Sequence, residues 1–397
     1  MSPMTATTQT PQSPQGQGAE HAEAVPDSAQ YSERRLPTYH LLFTGVASAM
    51  LAAVLLIVFE SFSLFALVFV GFLIHLVVAY IYSRVREGRR WAMDRLMTLV
   101  ITGAFVLAMF PLVSLLWEVA RRGAKRFFSP GFLTSDQLGV YGGMVDGGIM
   151  HAIVGTLMVT LGATLISVPI GFFTSIFLVE YASQGPLKLL SRGITFLVDV
   201  MTGIPSIVAG LFGLALFTII SGDPGMRTGL MGSVALSVLM IPTVVRSSEE
   251  MLRLVPLDLR EAAYALGTPK WLTIVNVVLR TAIAGLATSV TLAIARVIGE
   301  TAPLLLTVGA VRTLNADLFD GRMQTLPTYI NTMYKQGTAP CPKDTMKNPS
   351  TGLEHACSET VNFDNAWAAA LTLIIIVMLL NIIARVISYY FSPKLSR

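Results

Sequence analysis

AIAGLATSVTLAIARVIGETAPLLLTVGAV, residues 282–311, is the stretch on which the fold turns. A run this apolar is long enough to cross a ~30 Å hydrocarbon core, which takes about 20 residues of helix. Yet Arg296 and Glu300 stand inside it. A charge at the centre of a spanning helix costs about 2.5–3.5 kcal/mol even on the lenient insertion scale, and where one persists it has a partner or a task. The same thirty-odd positions therefore speak to both architecture and function.

Outward from that run, the whole chain is of one kind. Apolar residues make up 53% and charged residues only 13% of its 397 positions, about half the charged share of a globular protein. Eight spanning helices are expected, over about 39–59, 61–82, 96–117, 149–181, 194–221, 229–247, 282–311 and 366–391. Gly203, Pro205 and Gly210 should bend the fifth. The fold class is all-α and polytopic, with the lipid bilayer as its solvent. The net charge of +4 is small, and its basic residues form no stripe of the sort that binds nucleic acid. No G-x-x-x-x-G-K-[ST] phosphate loop, HExxH or G-x-S-x-G occurs, which argues against an enzyme and against ATP hydrolysis by this chain.

Residues 1–35 are rich in Gln, Ser, Thr and Pro and lack an apolar run, so they are expected to be a disordered tail. They also lack the basic and apolar regions of a signal peptide, which predicts a cytoplasmic tail. Residues 36–92 read as a transmembrane hairpin turning at Glu60, and 93–395 as the main domain, with an inner loop at 246–282 and an outer loop at 312–365. Basic residues such as Arg84, Arg86, Arg89, Arg90 and Arg95 gather on the segments this topology puts inside, as expected with both termini cytoplasmic. The cluster Arg121, Arg122, Lys125 and Arg126 runs against that bias. Either the third span is displaced, or the cluster draws anions to an outward mouth. Cys341 and Cys357 share one polar outer loop. They are read as a disulfide closing a short loop, worth about 3 kcal/mol in the chain-entropy model, with two free thiols as the alternative. No metal site is expected, because His355 is the only other good soft ligand nearby.

The inner loop contains REAAYALGTPKW, residues 260–271. Asp258 reads as the N-cap of a short helix that Gly267 and Pro269 end. Ala262, Ala263 and Ala265 let another protein approach closely, while Arg260 and Glu261 offer charge at the edge. Glu261-Ala262-Ala263, three residues, then Gly267 resembles the coupling-helix signature of binding-protein-dependent ABC importer permeases. The match departs from that pattern at Arg280, where Pro is usual. ARVIGETAPLL (295–305), GIPSIVAGLFG (203–213) and SSEEMLRLVP (247–256) resemble in particular the PstA-type permeases of phosphate-specific importers. The resemblance covers roughly residues 95–395. It implies a six-helix type I importer permease core with two extra N-terminal helices, in a bacterial cytoplasmic membrane. Glu261, Ala262, Ala263 and Gly267 would dock a separate ATPase dimer, which would bind the ATP and Mg. The other implied partners are a homologous permease subunit, forming a heterodimer, and an extracytoplasmic phosphate-binding protein.

Arg296 can grip an oxyanion with two parallel hydrogen bonds and does not lose its proton. In a continuous helix Glu300 lies one turn on, on the same face. Phosphate at neutral pH still carries a P–OH that could donate to Glu300, whereas sulfate cannot, so the pair could select a protonated oxyanion. The alternative is an internal ion pair that neutralises itself. The resemblance implicates Arg296, Glu300 and Arg246 in transport, though Arg246 could equally be an inner-side anchor. Thr301 could line the pathway or simply bond to backbone. Other function classes remain: an importer for sulfate or molybdate, and an ion-driven secondary transporter, which should carry the inverted repeats not seen here.

Overall fold

A computed structural model of the chain describes residues 39–59, 63–182, 185–341, 345–349 and 352–391. The tail at 1–35 and the turn at Glu60 lie outside these. Among the described residues seven helices are long and apolar enough to cross a membrane, and an eighth crossing exists if one bent pair counts as a single span.

The chain divides into two compact units, the first ending at Val113. The first contains α1 (His40–Val58), α2 (Leu64–Arg86) and the larger part of α3 (Arg89–Phe127). Ser63 caps α2 by accepting the Ala66 N–H at 3.1 Å. A polar knot ties the three helices together: Arg95 donates to Glu87 at 2.6 Å and to His40 at 2.7 Å, and Ser83 donates to Glu87 at 2.8 Å. Without such pairing these groups could not be buried in an apolar bundle.

The second unit is built on α4 (Met150–Ile176) and α7 (Gly229–Arg253), which pack along much of their length. Small residues make this possible, as at other membrane-helix contacts. Ser233 on α7 donates to the Val159 carbonyl of α4 at 3.0 Å. A Cβ on Gly171 would come within 2.5 Å of Val244 Cγ1. Around this pair lie α5 (Leu187–Thr202), α6 (Ser206–Ser221), α10 (Leu279–Val297), α11 (Ala302–Thr307) and α13 (Val361–Phe391). Leu236 and Met240 of α7, Val297 of α10 and Leu304 of α11 share one buried core.

Two expected spans are broken. Residues 194–221 form α5 and α6, which meet at 107°. Pro205 has no N–H, and its ring would strike the Met201 carbonyl in a continued helix. Residues 282–311 likewise divide: α10 stops at Val297 and α11 starts at Ala302. Here Pro303 would collide with the Gly299 carbonyl, while its place in the first turn of α11 leaves no donor unpaired. The α6 and α11 segments then touch, since a Cβ on Gly210 would lie 2.6 Å from Pro303 Cα.

The expected outer loop at 312–365 is largely structured. It holds α12 (Leu326–Gln336), opened by a reciprocal Thr325–Thr328 capping box, and the antiparallel strands β1 (Thr345–Lys347) and β2 (Glu354–Ala356). Helix α12 buries Tyr329 against α4 and α13, and the Tyr329 hydroxyl, its ionisation pushed up by burial, accepts from Gln137 at 2.5 Å. Cys341 and Cys357 are joined as a disulfide. The hairpin bonds to the preceding outer segment through Val145 N–H to Ala356 O at 2.9 Å and Ser358 N–H to Gly143 O at 2.8 Å.

The third span is longer than expected, because α3 continues to Phe127. Its basic cluster therefore rides on the last helical turns. Arg121 and Arg122 both pair with Glu118. Arg126 donates to Asn365 at 2.8 Å, to Gly147 O at 2.9 Å and to Val145 O. Arg121, Arg122 and Arg126 of the cluster thus each have partners within the second unit.

Candidate functional site

Arg296 lies in the last turn of α10, not in the middle of a continuous helix. Glu300 sits in the break, with its N–H bonded to Val297 O at 3.1 Å. Arg296 and Glu300 are therefore not on one continuous helix. No ion pair joins the two among the described residues. Instead Arg296 Nη1 donates to Thr243 Oγ1 on α7 at 3.2 Å, and the Thr243 hydroxyl donates to Leu239 O at 3.4 Å. Thr243 lies about 21 Å along α7 from its Gly229 end at 1.5 Å per residue, and α7 has 25 residues. Arg296 thus meets α7 past its midpoint, one turn before Arg246, and stands next to an irregular stretch of backbone. Such backbone is tolerated at depth only where protein or a polar cavity surrounds it.

Arg296 is exposed on this subunit and Glu300 and Thr301 are half-buried. Thr301 holds the N-cap position of α11 without a side-chain cap, and its carbonyl accepts the Leu305 N–H at 3.0 Å. One turn below Thr243, Arg246 is occupied: it pairs with Asp199 of α5 and with Glu249 at 3.2 Å, and Glu249 also takes Arg253 at 2.7 Å. Two acids and two bases make this cluster neutral, and it stitches α5 to α7. Sequence reading missed Thr243, Asp199 and Glu249. Asp199 was visible as a lone acid in an apolar run, but nothing local to Thr243 distinguishes it from other membrane threonines.

The second candidate surface is α8 (Leu257–Ala265), which buries none of its residues. Pro256 occupies its N-cap, and Asp258 is in the first turn rather than capping it. Gly267, at φ 77°, ends the helix in a left-handed turn. Its N–H bonds to Tyr264 O at 2.9 Å, and that of Thr268 to Ala263 O at 3.2 Å, the paired bonds of a Schellman cap. Glu261 and Ala262 are exposed and Ala263 is half-buried. Leu254, Leu257 and Leu266 present an exposed apolar ridge beside them. Arg260 points the other way, into the protein, where it meets Glu180 at 3.0 Å. Its charge is not at the docking edge. Short α9 (Lys270–Thr273) then leads into α10 through a π turn at Ile274–Val278.

Residues 167–397 match the family described as binding-protein-dependent transport system inner membrane component. Over 301 residues the chain is 42% identical to the phosphate transport system permease protein PstA 1 of Mycobacterium tuberculosis, a span covering 76% of this chain and 90% of that protein. It is 39% identical over 242 residues to the phosphate transport system permease protein PstA of Yersinia pestis, covering 61% and 72% respectively. In shape it is similar to the inward-facing MetNI methionine ABC transporter, with TM-score 0.43 and 20% identity over 62% of this chain and 95% of that one. The chain belongs to the binding-protein-dependent transport system inner membrane components, and within them to the PstA type.

Proposed function

We propose that this chain is one transmembrane half of an ATP-driven importer of inorganic phosphate. The observation that carries the reading is the placement of Arg296: a permanent cation in an apolar run, at the end of a broken helix, held by a neutral hydroxyl rather than by a carboxylate. A guanidinium has five N–H donors, and this arrangement leaves most of them for an incoming oxyanion. The names of the relatives support phosphate as that anion. Glu300, in the adjoining break, is the acceptor proposed for the P–OH of a protonated phosphate. Thr301 lies beside it on the route. Arg246 joins the route in a conformation in which Asp199 lets go of it.

The rest of the machine is supplied by other chains. A second, homologous permease completes the pathway and covers the exposed Arg296 face. An ATPase dimer holding ATP and Mg docks on Glu261, Ala262, Ala263 and Gly267 of the exposed α8. An extracytoplasmic binding protein delivers phosphate to the opposite side. The chain thus sits in the bacterial inner membrane with α8 and both termini in the cytoplasm, and with the Cys341–Cys357 bridge facing outward.

Radiolabelled phosphate uptake by the reconstituted complex tests the reading. Arg296→Gln should abolish uptake while the permease still inserts and retains its ATPase. Uptake at the wild-type level would refute the assignment of Arg296 as the anion-handling group.

A further inference from the structure

The inner end of α4 closes in a π turn, Phe177–Tyr181, a distortion often found at functional positions. Two consecutive residues of this turn each hold a cation from the loop that carries α8. Glu180 meets Arg260 of α8 at 3.0 Å, and both side chains are almost wholly buried, 6% and 12% exposed. The ring of Tyr181 lies under Lys270 of α9, with Nζ 5.0 Å from its centre. The two arms on either side of Gly267 are thus clipped to neighbouring residues of one turn.

The remainder of α8 offers no comparable hold. It buries no residue, and among the described residues Arg260 makes its only ion pair with another element. Arg260 also donates to Leu252 O at the end of α7, at 2.9 Å. The charges of Glu180 and Arg260 meet without a directed hydrogen bond, since Glu180 Oε1 and Arg260 Nε have no hydrogen-bond partner. Removing either partner of such a pair leaves the other as an uncompensated buried charge. From this turn α4 leads back to Gly171, where a Cβ would lie 2.5 Å from Val244 Cγ1 of α7. Val244 neighbours Thr243, the residue that holds Arg296.

We infer that the Glu180–Arg260 pair is the strut through which movement of the docked ATPase reaches the anion-handling residues, and that both are positioning residues for transport. This rests on the proposal that an ATPase docks on α8. Displacement of α8 would pull on Glu180, shift α4 along α7, and alter the Thr243–Arg296 contact.

The complex should be reconstituted with its ATPase and phosphate-binding protein as wild type, Glu180→Gln, Arg260→Gln, and the exchanged pair Glu180→Arg with Arg260→Glu. The measurements are co-purification of the ATPase, ATP hydrolysis, and phosphate imported per ATP. Each single variant should keep the ATPase bound and hydrolysing while phosphate per ATP falls about tenfold, as a buried partner is left uncompensated. The exchanged pair should regain about half the wild-type ratio or more, as coupled residues do in a double-mutant cycle. Unchanged ratios in the single variants would overturn the strut. So would single variants that lose the ATPase or fail to insert, which would mark a merely structural stitch, and so would an exchanged pair that restores nothing. A wild-type chain that binds no ATPase would refute the importer reading instead.

Discussion

Arg296, exposed on this subunit, is held by one neutral hydroxyl, where other arginines of this unit have fuller sets of partners. Arg246, one turn from Thr243, has Asp199 and Glu249; Arg126 has carbonyls and an amide; Arg260 has Glu180. Thr243 can only orient the Arg296 guanidinium, because a neutral hydroxyl does not cancel its charge. The consequence is testable. Thr243→Val keeps the shape and removes the acceptor, a hydrogen bond to a charged group worth about 1.5–3 kcal/mol. Phosphate uptake should fall about tenfold, by the lower end of that range, with ATPase binding unchanged. Wild-type uptake by this variant would mean that Arg296 needs no such orientation.

Helix breaks dominate at the scale of elements. Pro205 and Pro303 stop two apolar runs that are otherwise long enough to span, and the halves α6 and α11 meet through Gly210. Backbone groups freed at the breaks are then available at membrane depth instead of being consumed by a helix ladder. Between unbroken α4 and α7 the contact is close enough that Gly171 has no room for a side chain. Gly171→Ala should therefore strain the pair by about 1–3 kcal/mol, the usual range for overpacking. It should lower the thermal midpoint of the detergent-solubilised chain, and Val244→Ala in the same molecule should recover much of the loss by vacating the space. A midpoint unmoved by Gly171→Ala would show that α4 and α7 can part at little cost.

Over the whole molecule, the described segments between α11 and α13, with residues 143–147, form a structured cap rather than a loose loop. Helix α12, the β1–β2 hairpin and residues 143–147 are held by backbone pairing, by Arg126 and by the Cys341–Cys357 bridge. The bridge spans 16 positions in sequence, for which loop closure stabilises by about 3 kcal/mol. Replacing both cysteines with serine should raise amide hydrogen exchange at Val145 and Ser358, whose N–H groups pair across the cap, and leave α4 and α7 protected. Equal protection with and without the bridge would show that pairing alone holds the hairpin.

Composition and spacing were enough to reveal a membrane protein, a short helix ending at Gly267 and a charge inside the apolar run 282–311. Those properties are local: apolar length, the Glu261-Ala262-Ala263 to Gly267 interval, and a charge among apolar neighbours can all be read along one strand of text. The helical period, however, assumed one helix through Arg296 and Glu300, whereas α10 ends at Val297 and Pro303 opens a new helix. Likewise the partners of each charge were illegible. Thr243 reaches Arg296 across 53 positions and Asp199 reaches Arg246 across 47. Such pairings arise only when helices pack, so which arginine meets a carboxylate and which only a neutral hydroxyl is decided by tertiary contact.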